Sequence, residues 1–480
     1  MSYLDLDILT IHKMLENKEI TSTMLVNECF DNIEKNQDLN ALNETMRDYA
    51  LSIAKEIDKK YSSGEKLPLL AGIPVVIKDN INMLNTKTTC SSKILSNYES
   101  IYDATVVKKL KDNYAIIIGK ANMDEFAMGS SNENSATGIV KNPIDRTRVP
   151  GGSSGGSACS VKAKECFASL GTDTGGSIRL PASFCGVVGM KPTYSRVSRY
   201  GVVAFGSGLD QVGPLTKTVK DNAIMLSAIS GYDDNENTSS KNPVPDYLNE
   251  IKSSIKGMKI GVAKEFFAMG MDLQVEKAVK DAIDFYKENG AEIVEVELKN
   301  IDLALAVYYI LSSAEASSNL GRYDGIRYGQ RSNDYENLTD LYVKSRTQGF
   351  GKEVKRRIML GNFVLSSGYF DAYYKKAQKV QQMLSSEFDK VFEKVDALIS
   401  PVAPNVAFKI GEKINDPLSM YLTDIYTVPV NIVGNPAISF PCGKNNEGMP
   451  IGLQLIGRKF GETSLYTLAN YFEENHKGDK

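Results

Sequence analysis

The feature that most restricts the fold is an alternation of short, uniformly apolar runs with segments of helical period. Ile73-Pro74-Val75-Val76-Ile77 and Ala115-Ile116-Ile117-Ile118-Gly119 are too short for helices and apolar almost throughout, as strands covered on both faces are. Lys259-Ile260-Gly261-Val262-Ala263 repeats the pattern and leads into a segment that places Val275, Ala278, Val279, Ala282, Ile283 and Tyr286 on one helical face. Gly290 stops that helix, and Ile293-Val294-Glu295-Val296 reads as the next strand. A long helix is predicted over 371–395, and strands at Ala397-Leu398-Ile399, Ala437-Ile438-Ser439-Phe440 and Leu453-Gln454-Leu455-Ile456 follow, with a last helix near 462–474. Such alternation predicts an α/β fold, one large mixed sheet covered by helices on both faces.

The chain is expected to form a single domain. Residues 5–62 read as helical, with Leu25, Val26, Cys29 and Ile33 at helical spacing behind the capping candidates Thr21 and Ser22. This gives an N-terminal helical segment (1–65), a core rich in Gly/Ser clusters (66–220), the rest of the sheet with its covering helices (221–475) and a polar tail (476–480). The Asp/Asn/Ser/Lys-rich stretch 232–246, with Pro243 and Pro245, is the clearest loop. It could mark a domain boundary, but strands of one kind lie on both sides, so one sheet spanning the loop is an equal reading.

Composition excludes several functions. No run approaches the roughly 20 apolar residues of a membrane span, and Met1-Ser2-Tyr3-Leu4-Asp5-Leu6-Asp7 has no secretory character, so a cytoplasmic location is expected. Cys29, Cys90, Cys159, Cys166, Cys185 and Cys442 are scattered without paired spacing, which argues for buried thiols rather than a zinc site or disulfides. Net charge is −3 and the basic residues are dispersed, so no nucleic-acid patch is visible. Most restrictive are the two histidines, His12 near the start and His476 in the polar tail. Neither accompanies a nucleophile motif. Serine chemistry in this chain needs another base, and lysine is the known alternative.

Two Gly/Ser clusters carry the candidate chemistry: Gly151-Gly152-Ser153-Ser154-Gly155-Gly156-Ser157 and Thr172-Asp173-Thr174-Gly175-Gly176-Ser177. A flexible linker is the bland reading. Both lie between ordered segments, however, and the Gly-Lys-Ser/Thr ending of a phosphate loop is missing. The second cluster follows a strand-like run and precedes a helix start, a junction that turns successive N–H groups toward one point. Ser177 could there attack a carbonyl whose oxygen faces the N–H groups of Thr174, Gly175, Gly176 and Ser177 as an oxyanion hole. Lys78, after the buried run 73–77, is by position alone more simply a surface lysine at a strand end. If desolvated there, it would lose its proton readily.

Together these residues resemble the amidase signature family. The likeness lies in Gly72-Ile73-Pro74-Val75-Val76-Ile77-Lys78-Asp79, in 150–157 and 171–179, in Cys185-Gly186-Val187-Val188-Gly189-Met190-Lys191-Pro192-Thr193, and in the spacing of 24 between Ser153 and Ser177. The resemblance implies the amidase signature fold, Ser177 as nucleophile, Lys78 as base, and Ser153, in a cis peptide after Gly152, relaying the proton between them. Within the family the whole chain resembles the glutaminase subunits of bacterial glutamyl-tRNA(Gln)/aspartyl-tRNA(Asn) amidotransferases. Asn122-Met123-Asp124-Glu125-Phe126-Ala127-Met128-Gly129-Ser130, Lys355-Arg356-Arg357-Ile358-Met359-Leu360-Gly361 and Met420-Tyr421-Leu422-Thr423-Asp424-Ile425-Tyr426-Thr427 carry that likeness.

This second resemblance implies hydrolysis of glutamine, with Arg357 on its α-carboxylate, Asp424 on its α-amino group, and Gly129, Ser130 and Tyr308 lining the pocket. It also implies a heterotrimer. A B subunit would use the ammonia with ATP and Mg2+ on misacylated tRNA, a small C subunit would brace the pair, and this chain would bind no cofactor and meet tRNA only indirectly. One departure is Asn435 in Asn431-Ile432-Val433-Gly434-Asn435-Pro436, where the family more often has Leu-Ala-Gly-Leu-Pro. The competing expectations are a stand-alone amidase for another small amide and an inactive scaffold; paired Arg357 and Asp424 argue against the first, and the joint presence of Lys78, Ser153 and Ser177 against the second.

Overall fold

The computed structural model describes residues 2–267 and 270–476; of the expected polar tail only His476 lies within them. The strands are β1 (Leu42–Thr45), β2 (Pro74–Lys78), β3 (Ile116–Ala121), β4 (Ala168–Asp173), β5 (Val188–Lys191) and β6 (Gln211–Thr216), then β7 (Lys259–Ala263), β8 (Glu292–Val296), β9 (Ala397–Pro401), β10 (Ala437–Lys444) and β11 (Pro450–Gly457). They form one eleven-stranded mixed sheet in the order β1-β3-β2-β4-β6-β5-β10-β11-β9-β7-β8. Strands from before and after the 232–246 loop pair directly, β5 with β10, so one sheet does span the loop.

Every position of β2, β3, β4, β5, β6, β9 and β11 is buried, which requires cover on both faces. The alternation along β9 shows the two sides: Ala397 and Ile399 enter the main core, whereas Leu398 enters a second core with Tyr308, Leu384, Phe388 and Val428. Helix Leu273–Glu288 buries Val275, Val279, Ala282 and Tyr286, as its periodicity predicts. Thr21 caps Ser22–Lys35 by accepting the Met24 N–H.

Two sequence readings need correction. The helical reading of 5–62 is interrupted by β1, an edge strand antiparallel to β3. The helix predicted over 371–395 runs Lys375–Phe392 and is preceded by a wider π-type turn at Phe370–Tyr374, whose residues bury little.

Candidate active site

Parallel pairing decides where the chemistry sits. β2 and β4 run side by side with Ile77 opposite Leu170, so their carboxyl ends, Lys78 and Thr172-Asp173, emerge at the same edge. Ligand sites in open α/β sheets form outside these strand ends. Helix Gly155–Lys162 packs against β2 and β4, and its Ser157 hydroxyl donates to Leu170 O at 3.0 Å. This brings the first Gly/Ser cluster over Lys78.

Lys78 is fully buried, so the surface-lysine reading is excluded. Its Nζ lies 2.7 Å from Ser153 Oγ, 2.9 Å from Ser154 Oγ and 2.9 Å from Thr172 Oγ1. Burial pushes its pKa down to about 7, against the upward pull of Asp124 and Asp173. The Gly152–Ser153 peptide is cis. A side chain at Gly152 would collide with the Asp124 carboxylate, which accepts the N–H groups of Asn132 and Asn134 at 2.9 and 3.1 Å.

Ser177 is 7% exposed and leads into helix Arg179–Cys185; its carbonyl accepts the Ser154 N–H at 3.1 Å, tying the two clusters together. The turn before it is held from within. Asp173 accepts the Gly176 N–H at 2.8 Å and the Ile178 N–H at 3.1 Å. Burial alone would raise the Asp173 carboxyl, but the Arg179 guanidinium 3.0 Å away holds it well below the usual carboxylate range. The expectation of four converging N–H groups is therefore corrected: the Gly176 N–H is spent on Asp173. Those of Thr174, Gly175 and Ser177 have no acceptor among the described residues.

Two of the predicted pocket residues, Tyr308 and Asp424, lie close to this turn, and the others line a neighbouring cavity. Tyr308, on helix Ala304–Asn319, lies against Gly175 so closely that a Cβ there would sit 2.6 Å from Tyr308 Cζ. Thr427 donates to Gly175 O at 2.7 Å, and one turn earlier Asp424 accepts the Ser130 hydroxyl at 2.5 Å. Burial raises the Asp424 carboxyl to about 7. Gly129, Ser130, Arg357 and Tyr421 line a cavity of about 280 Å³. Arg357, on helix Lys352–Leu365, is 3% exposed, and its Nη1 is buried without a partner among the described residues. An unpaired buried guanidinium nitrogen is costly unless a ligand supplies the acceptor.

Residues 24–466 match the family described as Amidase. The chain belongs to the amidase family. It is 56% identical over 476 residues to the A subunit (number 2) of the glutamyl-tRNA(Gln) amidotransferase of Clostridium acetobutylicum, covering 99% of this chain and all (100%) of that one. Identity is 54% over 478 residues to the corresponding A subunit of Thermoanaerobacter pseudethanolicus, covering 99% and 98%. The crystal structure of the glutamyl-tRNA(Gln) amidotransferase A subunit from Thermotoga maritima matches with a TM-score of 0.83 at 42% identity, over 99% of this chain and 96% of that one. The peptide amidase PAM in complex with the competitive inhibitor chymostatin matches at TM-score 0.85 and 27% identity, over 100% and 99%.

This amidase has its histidines engaged elsewhere: His12 contacts the Tyr61 hydroxyl at 3.3 Å, and His476 stacks on Phe472. All six cysteines are buried and free. Among the described residues, no group of acids, histidines or cysteines could hold a metal, and no helix is long and apolar enough to cross a membrane. Asn435, the departure noted in the sequence, donates to Gly457 O at 2.8 Å beside β11. Sequence reasoning missed Ser154 and Thr172, the further partners of Lys78, although both lie inside the clusters it singled out. It also missed Glu353, whose four-residue spacing from Arg357 was the available signal.

Proposed function

We propose that this chain is the glutamine-hydrolysing component of a cytoplasmic tRNA-dependent amidotransferase. The observation that carries the reading is a pair of buried opposite charges, Arg357 and Asp424. A buried guanidinium with an unpaired Nη1 and a buried carboxylate held by Ser130 fit the two charged ends of a free amino acid.

The chemistry follows from the Lys78 surroundings. A neutral amine has two hydrogens and one lone pair. With the hydrogens on Ser154 Oγ and Thr172 Oγ1, the lone pair faces Ser153 Oγ at 2.7 Å. Lys78 takes the Ser153 proton, Ser153 takes that of Ser177, and Ser177 Oγ attacks the side-chain carboxamide of glutamine. The N–H groups of Thr174, Gly175 and Ser177 receive the oxyanion. Collapse of the tetrahedral intermediate sends the proton back through Ser153 to the departing ammonia. Water, activated by the same relay, then releases glutamate from the acyl-enzyme.

The ammonia serves transamidation of Glu-tRNA(Gln), and of Asp-tRNA(Asn) where that is the substrate, on a B subunit that uses ATP and Mg2+. A C subunit completes the heterotrimer. The test is Ser177→Ala, assayed for ammonia release with folding checked by circular dichroism. Activity should vanish, since loss of a nucleophile costs several orders of magnitude. Retention of a tenth of the wild-type rate by a folded variant would overturn the assignment.

A further inference from the structure

Arg357 is useful only if its unpaired end points at the ligand, and the structure shows what holds it there. Glu353 stands one turn earlier on the same helix. Its Oε1 accepts Arg357 Nε at 2.7 Å and the Tyr421 hydroxyl at 2.9 Å. Its second oxygen pairs with Arg356 at the half-exposed rim. The Arg357 guanidinium also lies against two rings, 4.4 Å from the Tyr309 centroid and 4.9 Å from that of Tyr421, and these rings stack on each other at 4.0 Å. The guanidinium is thus fixed through Nε and against the two rings, and Nη1 has no partner among the described residues.

We propose that Glu353, braced by Tyr421, is the positioning residue that aims Arg357 at the α-carboxylate of the substrate, an inference that rests on the carboxylate-reading role given to Arg357 above. The physical need is specific. An arginine side chain carries large rotamer entropy, and an unanchored guanidinium would lose that freedom on each binding event. Burying the cation would also be costly without a counter-charge. Glu353 meets both needs through Nε, away from the end that the ligand uses. Because both of the pinning bonds land on one oxygen, a glutamine at 353 can keep them with its own Oε1 while losing the negative charge and the contact with Arg356.

That separates positioning from charge in one experiment. The tagged full chain is expressed in its native cell, recovered with its partners, and assayed for glutamine hydrolysis as wild type, Glu353→Ala, Glu353→Gln, Tyr421→Phe and Arg357→Ala. Glutamine binding is measured calorimetrically on the same variants carrying Ser177→Ala. Glu353→Ala should raise KM and Kd for glutamine about 10- to 100-fold, the loss of a charge-assisted bond, with kcat within about threefold. Glu353→Gln should recover most of that affinity, and Tyr421→Phe should weaken binding only about two- to fivefold. If Arg357→Ala leaves Kd unchanged, the carboxylate reading itself fails. If Arg357→Ala weakens binding but Glu353→Ala does not, or Glu353→Gln is as damaging as Glu353→Ala, the positioning role is refuted. Should Glu353→Ala not fold, Glu353→Gln and Tyr421→Phe still decide: a loss above tenfold in Glu353→Gln, or no loss in Tyr421→Phe, refutes it.

Discussion

The pH dependence of kcat tests the Lys78 mechanism directly, because burial has moved the lysine ionisation into a measurable window. An exposed lysine titrates near 10.5, whereas Lys78, lowered by burial, titrates at about 7. In the proposed mechanism the working form is the neutral amine, so activity should be lost as pH falls through that value. With a pKa near 7, roughly a tenth of Lys78 is neutral at pH 6 and about nine-tenths at pH 8. At saturating glutamine, kcat should therefore rise about tenfold between pH 6 and 8 and level off above. An unshifted lysine would instead give about a 100-fold rise across that window and a continuing tenfold rise per pH unit toward 10. In the proposed recognition Asp424, raised to about 7 by burial, must be ionised to receive the α-amino group. It adds a second deprotonation that acts on binding, so kcat/KM for glutamine should fall more steeply below pH 7 than kcat does. The assay is ammonia release from pH 5.5 to 9.5 at saturating and limiting glutamine. A kcat that is flat between pH 6 and 8, or that still climbs at pH 9.5, would refute the buried-lysine base.

Ser154→Ala removes one acceptor from the Lys78 ammonium and the acceptor of the Thr172 N–H. Steady-state kinetics should show kcat reduced about 10- to 100-fold, with the pH limb moved to lower pH because the charged form has lost a bond. Arg179→Ala strands the fully buried Asp173 carboxylate, and with it the bonds to Asn431, Gln454 and Thr427 O. The loss should be about 3–5 kcal/mol of stability, seen as a lowered midpoint in denaturant unfolding.

What could be read from the sequence follows physical distinctness. β2 and β3 are uninterrupted apolar runs, and only a strand covered on both faces makes such a run useful. β1 is Leu42-Asn43-Glu44-Thr45, a half-exposed edge strand, and its pairing with β3 rather than its own pattern makes it a strand. In the site, Lys78, Ser153 and Ser177 lay inside recognisable motifs. The engagement of the Gly176 N–H did not, because it depends on the Asp173 carboxylate folding back over the turn. Glu353 shows the opposite limit. Its spacing from Arg357 predicts an ion pair, but such pairs are usually solvent-exposed, and nothing in the spacing says that this one is buried against two tyrosines.

The same burial explains why Lys78 is matched to neutral pH rather than merely weakened. Desolvation alone lowers Lys78, and carboxylates oppose it, foremost Asp124, under the Gly152–Ser153 peptide, and Asp173, at the end of β4. Each of these acids also holds backbone in place, Asp124 through the N–H groups of Asn132 and Asn134, Asp173 through those of Gly176 and Ile178. Burial raises the Asp124 carboxyl itself to about 7, so its pull on Lys78 weakens once it takes up a proton. The loops that aim Ser153 and Ser177 and the charges that set the strength of Lys78 are therefore the same groups. A substitution at Asp124 would disturb geometry and basicity together, whereas Ser154→Ala leaves both carboxylates and the backbone they hold in place.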